Sequence, residues 1–222
     1  MRALAMKEWI KLRHWLGLIG LGHLAFGAWF YLSMRHQFRI EHAEMIYYQA
    51  NRIGRLFYDD LRYVPLATGA VLGAAQFLPE VLRGRLRIAM HLPMGLGALI
   101  LAHLGLGLGL LAVVLAFDLG ILAGTVGAFF PGPFVASALA TAAPWMLAGI
   151  AAYLGAALVL LEPDRRTQAV NLAVAGGVVA LCHLSAAYNA YDGAIWGLAV
   201  LVGLMVPATL RAAARFRDGG TG

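Results

Sequence analysis

The chain has 222 residues, of which 61% are hydrophobic and only 13% charged, and its formal net charge is +6. Soluble domains carry about 25% charged residues. A soluble fold of this size could not hide so much apolar surface, so the composition excludes an ordinary soluble domain and makes a bilayer the expected solvent. The basic residues flank apolar runs instead of forming one face, which excludes a nucleic-acid surface and makes them topology signals.

In chain order, residues 4–15 set Leu4, Ile10 and Leu12 with Trp9 and Trp15 among Lys7, Glu8, Lys11 and Arg13. This pattern predicts a short helix within 1–14 lying along the inner membrane surface, its basic side chains at the headgroups. No small-residue cleavage site closes the next apolar run before Met34 and Arg35, so it reads as an uncleaved first span over 14–33, not a signal peptide. Further apolar runs at about 61–79, 94–117, 134–161, 169–189 and 193–210 each approach the ~20 residues a span requires. The expected fold is an all-α polytopic membrane protein: one transmembrane domain over 1–222, with six transmembrane helices and an N-terminal interfacial helix.

The connections are unequal. Residues 34–60 place Ile46, Ala50, Ile53 and Phe57 at helical spacing with Tyr47, Tyr48 and Tyr58 nearby. They predict an outer amphipathic loop with aromatic anchors, either a simple anchor or an external gate. Residues 118–133 are apolar but interrupted by Gly120, Gly124, Gly127, Pro131, Gly132 and Pro133, and read as an outer hairpin. Small-xxx-small spacings at Gly69 and Gly73, and at Gly105 and Gly109, favour close helix contacts. Lone Cys182 lies in an apolar run and reads as a packed thiol.

Charge sets the direction. With the N-terminus inside, Arg2, Lys7, Lys11, Arg13, Arg165, Arg166, Arg211, Arg215 and Arg217 fall on the inner face. Arg83, Arg85 and Arg87 join them, while the outer basic residues share 34–62 with Glu41, Glu44, Asp59 and Asp60. Both termini are therefore expected in the cytoplasm, in a multi-pass protein of a bacterial inner membrane.

The inner island at 77–94, FLPEVLRGRLRIAMHLPM, brackets helical apolar spacing between Pro79 and Pro93. Leu82, Leu86 and Met90 fall on one helical face, and Arg83, Arg85 and Arg87 can meet carboxylates of a partner. The alternative is an ordinary basic inner loop.

This layout resembles the ABC-2 class of ABC-transporter permeases. The likeness rests on KEWIKLRHW at Lys7–Trp15, similar to that family's elbow helix, with Lys7, Trp9, Lys11 and Trp15 at its surface positions. It rests also on Glu80, Gly84, Leu86 and Pro93, which follow the order of the family's coupling region immediately before the third span. In size the chain is similar to the compact permeases of cytochrome c maturation and nitrous-oxide-reductase assembly. The resemblance implies a permease subunit with an ATP-binding cassette partner at the cytoplasmic face, paired with a second copy or a related permease among membrane lipids. The arginines make the island more basic than in many relatives. The chain's lysines are Lys7 and Lys11, and neither follows a glycine, so no P-loop of the usual form is present and ATP is expected on another chain.

Among residues inside the spans, His23 and His103 lie at similar depth from the inner edge and are candidate intramembrane ligands, for example of a haem b. The other reading has each histidine hydrogen-bonded to a neighbouring helix, as does His183. Asp118 and Asp192 are placed at solvated outer ends, and Glu162, Asp164, Arg165 and Arg166 in a solvated inner turn. Gln76 and Asn171 read as packed polar groups or vestibule residues. Neither an HExxH zinc pattern nor a GxSxG elbow occurs, so no catalytic or metal site is expected in this chain. A haem- or quinone-bearing anchor of an oxidoreductase and a non-transporting assembly factor are the alternative functions.

Overall fold

The computed structural model describes residues 2–82 and 95–217, with side chains from Met6 onward. Helix α1 runs over Arg2–Ile40 for 39 residues. A short α2 (Ala43–Tyr48), a π-helical turn (Gln49–Ile53) and a 3-10 turn (Asp59–Tyr63) lead into α3 (Val64–Leu82). Then follow α4 (Leu96–Phe129), α5 (Gly132–Leu160), α6 (Arg165–Cys182) and α7 (Ile195–Arg217). No strand occurs among the described residues.

Five helical segments are long and apolar enough to cross a membrane: Met6–Ile40, Asp59–Leu82, Leu96–Phe129, Gly132–Leu160 and Ile195–Arg217. This is the architecture of a multi-pass helical membrane protein. Helix α6 falls outside that set because its first turn, Arg165 to Gln168, is polar. It stops at Cys182, short of the expected 169–189, and residues 183–194 turn back through Asn189 at φ 56. The Cys182 thiol is fully buried.

Two expectations are corrected. The separate surface helix within 1–14 does not form, because its residues are the opening turns of a continuous α1. At 1.5 Å per residue α1 is about 58 Å long, well beyond the ~30 Å hydrocarbon core. Nothing in the sequence breaks it near Trp15, and Glu8, Lys7 and Lys11 are drawn onto α3 instead of toward headgroups. Trp9 and Trp15 do face outward.

The hairpin expected over 118–133 is absent as well. Helix α4 continues through Gly120, Gly124 and Gly127 to Phe129. Glycine costs a helix interior only about 1 kcal/mol, and away from water no solvent competes for the backbone hydrogen bonds. The break comes at Phe130, extended at φ −124 and ψ 153 as a residue before proline must be, and α5 restarts at once behind Pro131.

Helix α5 forms the centre, packing on α3, α4, α6 and α7, while α1 packs on α4 and α3. The α3–α5 approach depends on glycine. A Cβ on Gly69 would lie 1.9 Å from the Gly149 carbonyl oxygen, and one on Gly149 would lie 2.7 Å from that of Pro65. Gly73 meets the Tyr153 backbone in the same way, whereas Gly105 and Gly109 have nothing within 4 Å among the described residues.

The ends of the bundle differ. At the distal end the 34–60 segment is tied down: Ile46 and Ala50 are buried, though Ile53 is exposed. Phe38, Tyr47, Phe129, Phe130 and Phe134 pack edge and face against one another. Tyr47 Oη donates to the Phe129 carbonyl at 3.0 Å. At the terminal end, where α1 begins and α7 finishes, Asp164 caps α6 by accepting from the Thr167 backbone N–H at 2.7 Å and from its hydroxyl at 2.8 Å. Those bonds hold its carboxyl below the usual range. Glu162, expected in water, is instead buried, with Arg215 Nε donating to Oε1 at 3.1 Å and Asn171 to Oε2 at 3.3 Å.

Candidate functional site

Helices α1, α3 and α4 enclose two buried polar layers. The first lies toward the terminal end. Glu8 and Lys11, adjacent on one face of α1, point at the last turns of α3. Lys11 Nζ contacts Glu8 Oε1 at 2.8 Å, Glu80 Oε1 at 3.3 Å and the Gln76 carbonyl at 2.9 Å. Lys7 Nζ meets the other oxygen of Glu80 at 3.0 Å. Glu8 and Glu80 are 0% and 1% exposed, so these two carboxylates owe their place in the interior to the two ammonium groups.

Gln76 completes the layer. Its Nε2 donates to Glu8 Oε2 at 3.1 Å and to the His103 carbonyl at 2.9 Å, and its Oε1 accepts from Tyr153 Oη at 2.7 Å. Gly107 makes room, since a Cβ there would fall 2.0 Å from Tyr153 Oη and 2.2 Å from Gln76 Oε1. His103 directs Nδ1 at the Leu99 carbonyl, 2.9 Å away. Its Nε2 is 3.7 Å from Glu8 Oε1 and has no hydrogen-bond partner.

The second layer is deeper. His23 Nδ1 lies 2.6 Å from Asp118 Oδ1, and its Nε2 lies 2.8 Å from Thr68 Oγ1. His23, Thr68 and Asp118 are 4%, 6% and 1% exposed. From Glu8 to His23 is about 22 Å of helix at 1.5 Å per residue, and from His103 to Asp118 the same.

The expected pairing of His23 with His103 around one ligand is therefore corrected. The two histidines belong to different layers, and both ring nitrogens of His23 already face protein oxygens. Helix α1 begins well before position 14, so the two histidines do not share one depth from the terminal end. No group of three or more metal-ligating side chains occurs among the described residues.

Of the residues singled out in the sequence, Glu80, Lys7 and Lys11 come together. Leu82 ends α3 with an exposed side chain. Arg83, Gly84, Arg85, Leu86, Arg87, Met90 and Pro93 lie outside the described residues. Sequence reading missed Glu8, Tyr153 and Asp118 as site residues. Asp118 had a usable signal: it is the only carboxylate between Glu80 and Glu162, in an apolar run that no proline breaks before Pro131. His183 takes the bland reading, with Nδ1 2.9 Å from the Val179 carbonyl and Nε2 3.0 Å from that of Arg62.

No family model, no curated protein and no solved structure matches the chain.

Proposed function

We propose that the chain is the membrane-spanning permease subunit of an ATP-driven transporter of the ABC-2 type. In this reading the helices make six spans with both termini in the cytoplasm. A separate ATP-binding subunit docks on the basic island that follows α3, and a second copy or a related permease completes the path.

The observation that supports this most is the clasp on Glu80. The last turns of α3, immediately before the island, are joined to the opening turns of α1 by Lys7 and Lys11 through a buried carboxylate. A permease without its own ATP site needs a stiff link from its docking element to its helices. A force applied at the island would act on α3 and α1 together, and through Gln76 and Tyr153 on α5. The same clasp explains why a Glu at position 80 is useful there, whatever the island contacts.

The test is mild purification of the tagged chain from its native membrane, followed by identification of partners and measurement of ATP hydrolysis. An ATP-binding subunit that co-purifies, and is lost when Arg83, Arg85 and Arg87 are all changed to glutamate, is the expected result. A chain that purifies without any nucleotide-binding partner, or whose ATPase association survives that triple change, removes the docking proposal.

A further inference from the structure

The polar contacts around His23 are independent of the permease reading. Thr68 has one hydroxyl hydrogen, and its Oγ1 lies 2.9 Å from the Val64 carbonyl as well as 2.8 Å from His23 Nε2. One arrangement puts a hydrogen in all three contacts, and a second leaves one of them empty. In the first, Thr68 donates to Val64 and His23 Nε2–H donates to Thr68. The 2.6 Å contact between Nδ1 and Asp118 Oδ1 then needs one more hydrogen, from either an imidazolium or a carboxylic acid. In the second, Thr68 donates to Nε2, a neutral His23 donates from Nδ1 to an ionised Asp118, and no hydrogen is left for the Thr68–Val64 contact.

Charge and the Val64 contact decide together, because protonating Asp118 at Oδ2 would neutralise the second arrangement but still leave the Val64 contact without a hydrogen. The first arrangement is net neutral, while the second buries an uncompensated carboxylate. Asp118 is 1% exposed and its Oδ2 has no hydrogen-bond partner, so nothing solvates a free negative charge there. Among the described residues no cation stands close either. On α1, Lys11 and Arg35 are each about 18 Å of helix from His23, and Tyr31 is the only other titratable group between His14 and Arg35. On α3 none occurs between Tyr63 and Glu80, and on α4 Asp118 is alone between His103 and Phe129. Helix α5 offers only Tyr153, which is bonded in the other layer, and α7 offers none before Arg211. Arg62, preceding α3, is held by Asp59 and Tyr63.

We propose that His23 and Asp118 share one bound proton, forming a net-neutral proton-binding site where α1, α3 and α4 meet. The pair bridges two helices, so parting α1 from α4 would separate an imidazolium from a carboxylate in an apolar medium. Such a movement requires the shared proton to shift wholly onto Asp118 or to leave. Helix movement at this contact is thereby tied to proton binding, and Asp118 Oδ2 is the atom left to receive an incoming proton or water.

The test is NMR of the full chain in lipid nanodiscs with ring-15N-labelled histidine at neutral pH. The expected result is that His23, assigned by the resonances lost in H23Q, carries a hydrogen on Nε2 and a strongly deshielded, short-hydrogen-bonded one at Nδ1. In D118N that deshielded signal should vanish and His23 should read as singly protonated. T68V should move the Nε2 resonance and keep the shared proton, which assigns His23 if H23Q does not fold. His183, facing two carbonyl oxygens, should be unmoved in D118N and serves as the control. Two results overturn the proposal: a wild-type His23 with a single ring hydrogen on Nδ1, or a deshielded signal that survives D118N. If D118N does not fold, the position of the ring hydrogens on wild-type His23 decides alone: a hydrogen on Nε2 supports the proposal, and a single hydrogen on Nδ1 overturns it.

Discussion

Lys11 on α1 and Glu80 on α3 meet at 3.3 Å between side chains that are 16% and 2% exposed. The same ammonium also holds Glu8 and the Gln76 carbonyl, so one lysine closes the terminal end of the α1–α3 contact. Lys7 reaches the same carboxylate from a side chain that is 41% exposed. Exposure separates the two lysines energetically, because a solvated pair contributes ~0–1 kcal/mol whereas removing one member of a buried pair costs ~3–5 kcal/mol.

Lys11→Met should therefore destabilise the protein by about 3 kcal/mol, and Lys7→Met by under about 1 kcal/mol. Reversible unfolding in mixed detergent micelles measures both. Equal losses for the two substitutions would show that the burial difference has no energetic meaning.

Gln76 serves three partners, so its loss should exceed that of any one of them. Tyr153→Phe removes one hydrogen bond and should cost about 1 kcal/mol. Gln76→Leu leaves Glu8 Oε2, Tyr153 Oη and the His103 carbonyl without their bond to it, and should cost at least ~3 kcal/mol. A double-mutant cycle should give a coupling of about 1 kcal/mol; strict additivity would mean that the 2.7 Å contact carries no energy.

Gly69→Ala should be among the more damaging small substitutions. The new methyl would sit 1.9 Å from a backbone oxygen of α5, and backbone cannot rotate away. A loss of about 2–3 kcal/mol is expected. Gly105→Ala, with open space around it among the described residues, should be neutral or stabilising by up to ~1 kcal/mol. Thermal unfolding compares them, and a Gly69→Ala protein as stable as wild type would contradict the α3–α5 packing. A loss for Gly105→Ala would instead identify that face as a contact with another chain.

Acid should loosen the start of α6. The folded Asp164 carboxyl is held below its ordinary value by the Thr167 backbone N–H, then by the Thr167 hydroxyl. A depressed carboxyl contributes stability that is present above its unfolded value, ~3.9, and is lost as pH falls through the folded value. Amide exchange at Thr167 and Gln168, corrected for intrinsic rates, should thus stay slow at neutral pH and rise below about pH 4. Asp164→Asn should keep the cap and remove the acid step, and Asp164→Ala should raise exchange at every pH.

Much of the architecture could be read locally. The runs behind α1, α3, α4, α5 and α7 are long and apolar, and Gly69 and Gly73 marked the α3 face that touches α5. The extents of α1 and α4 could not be read so well. Glycines and prolines suggested a hairpin at 118–133, but a helix away from water tolerates glycine, and only Pro131 ended it. The polar residues were least legible. Glu8 looked like one charge in a surface helix, and Asp118 and Glu162 like solvated helix ends, yet all three are buried and paired.

Composition, local periodicity and the positions of the lysines are enough to set the solvent, the helical class and the absence of a usual P-loop. Which ionisable groups meet depends on the packed fold. Lys11 finds Glu80, and His23 finds Asp118, across 69 and 95 residues of chain. Such pairings follow from which helix faces pack together. Packing at Gly69, Gly73 and Gly107 settles that question through contacts no stretch of sequence contains.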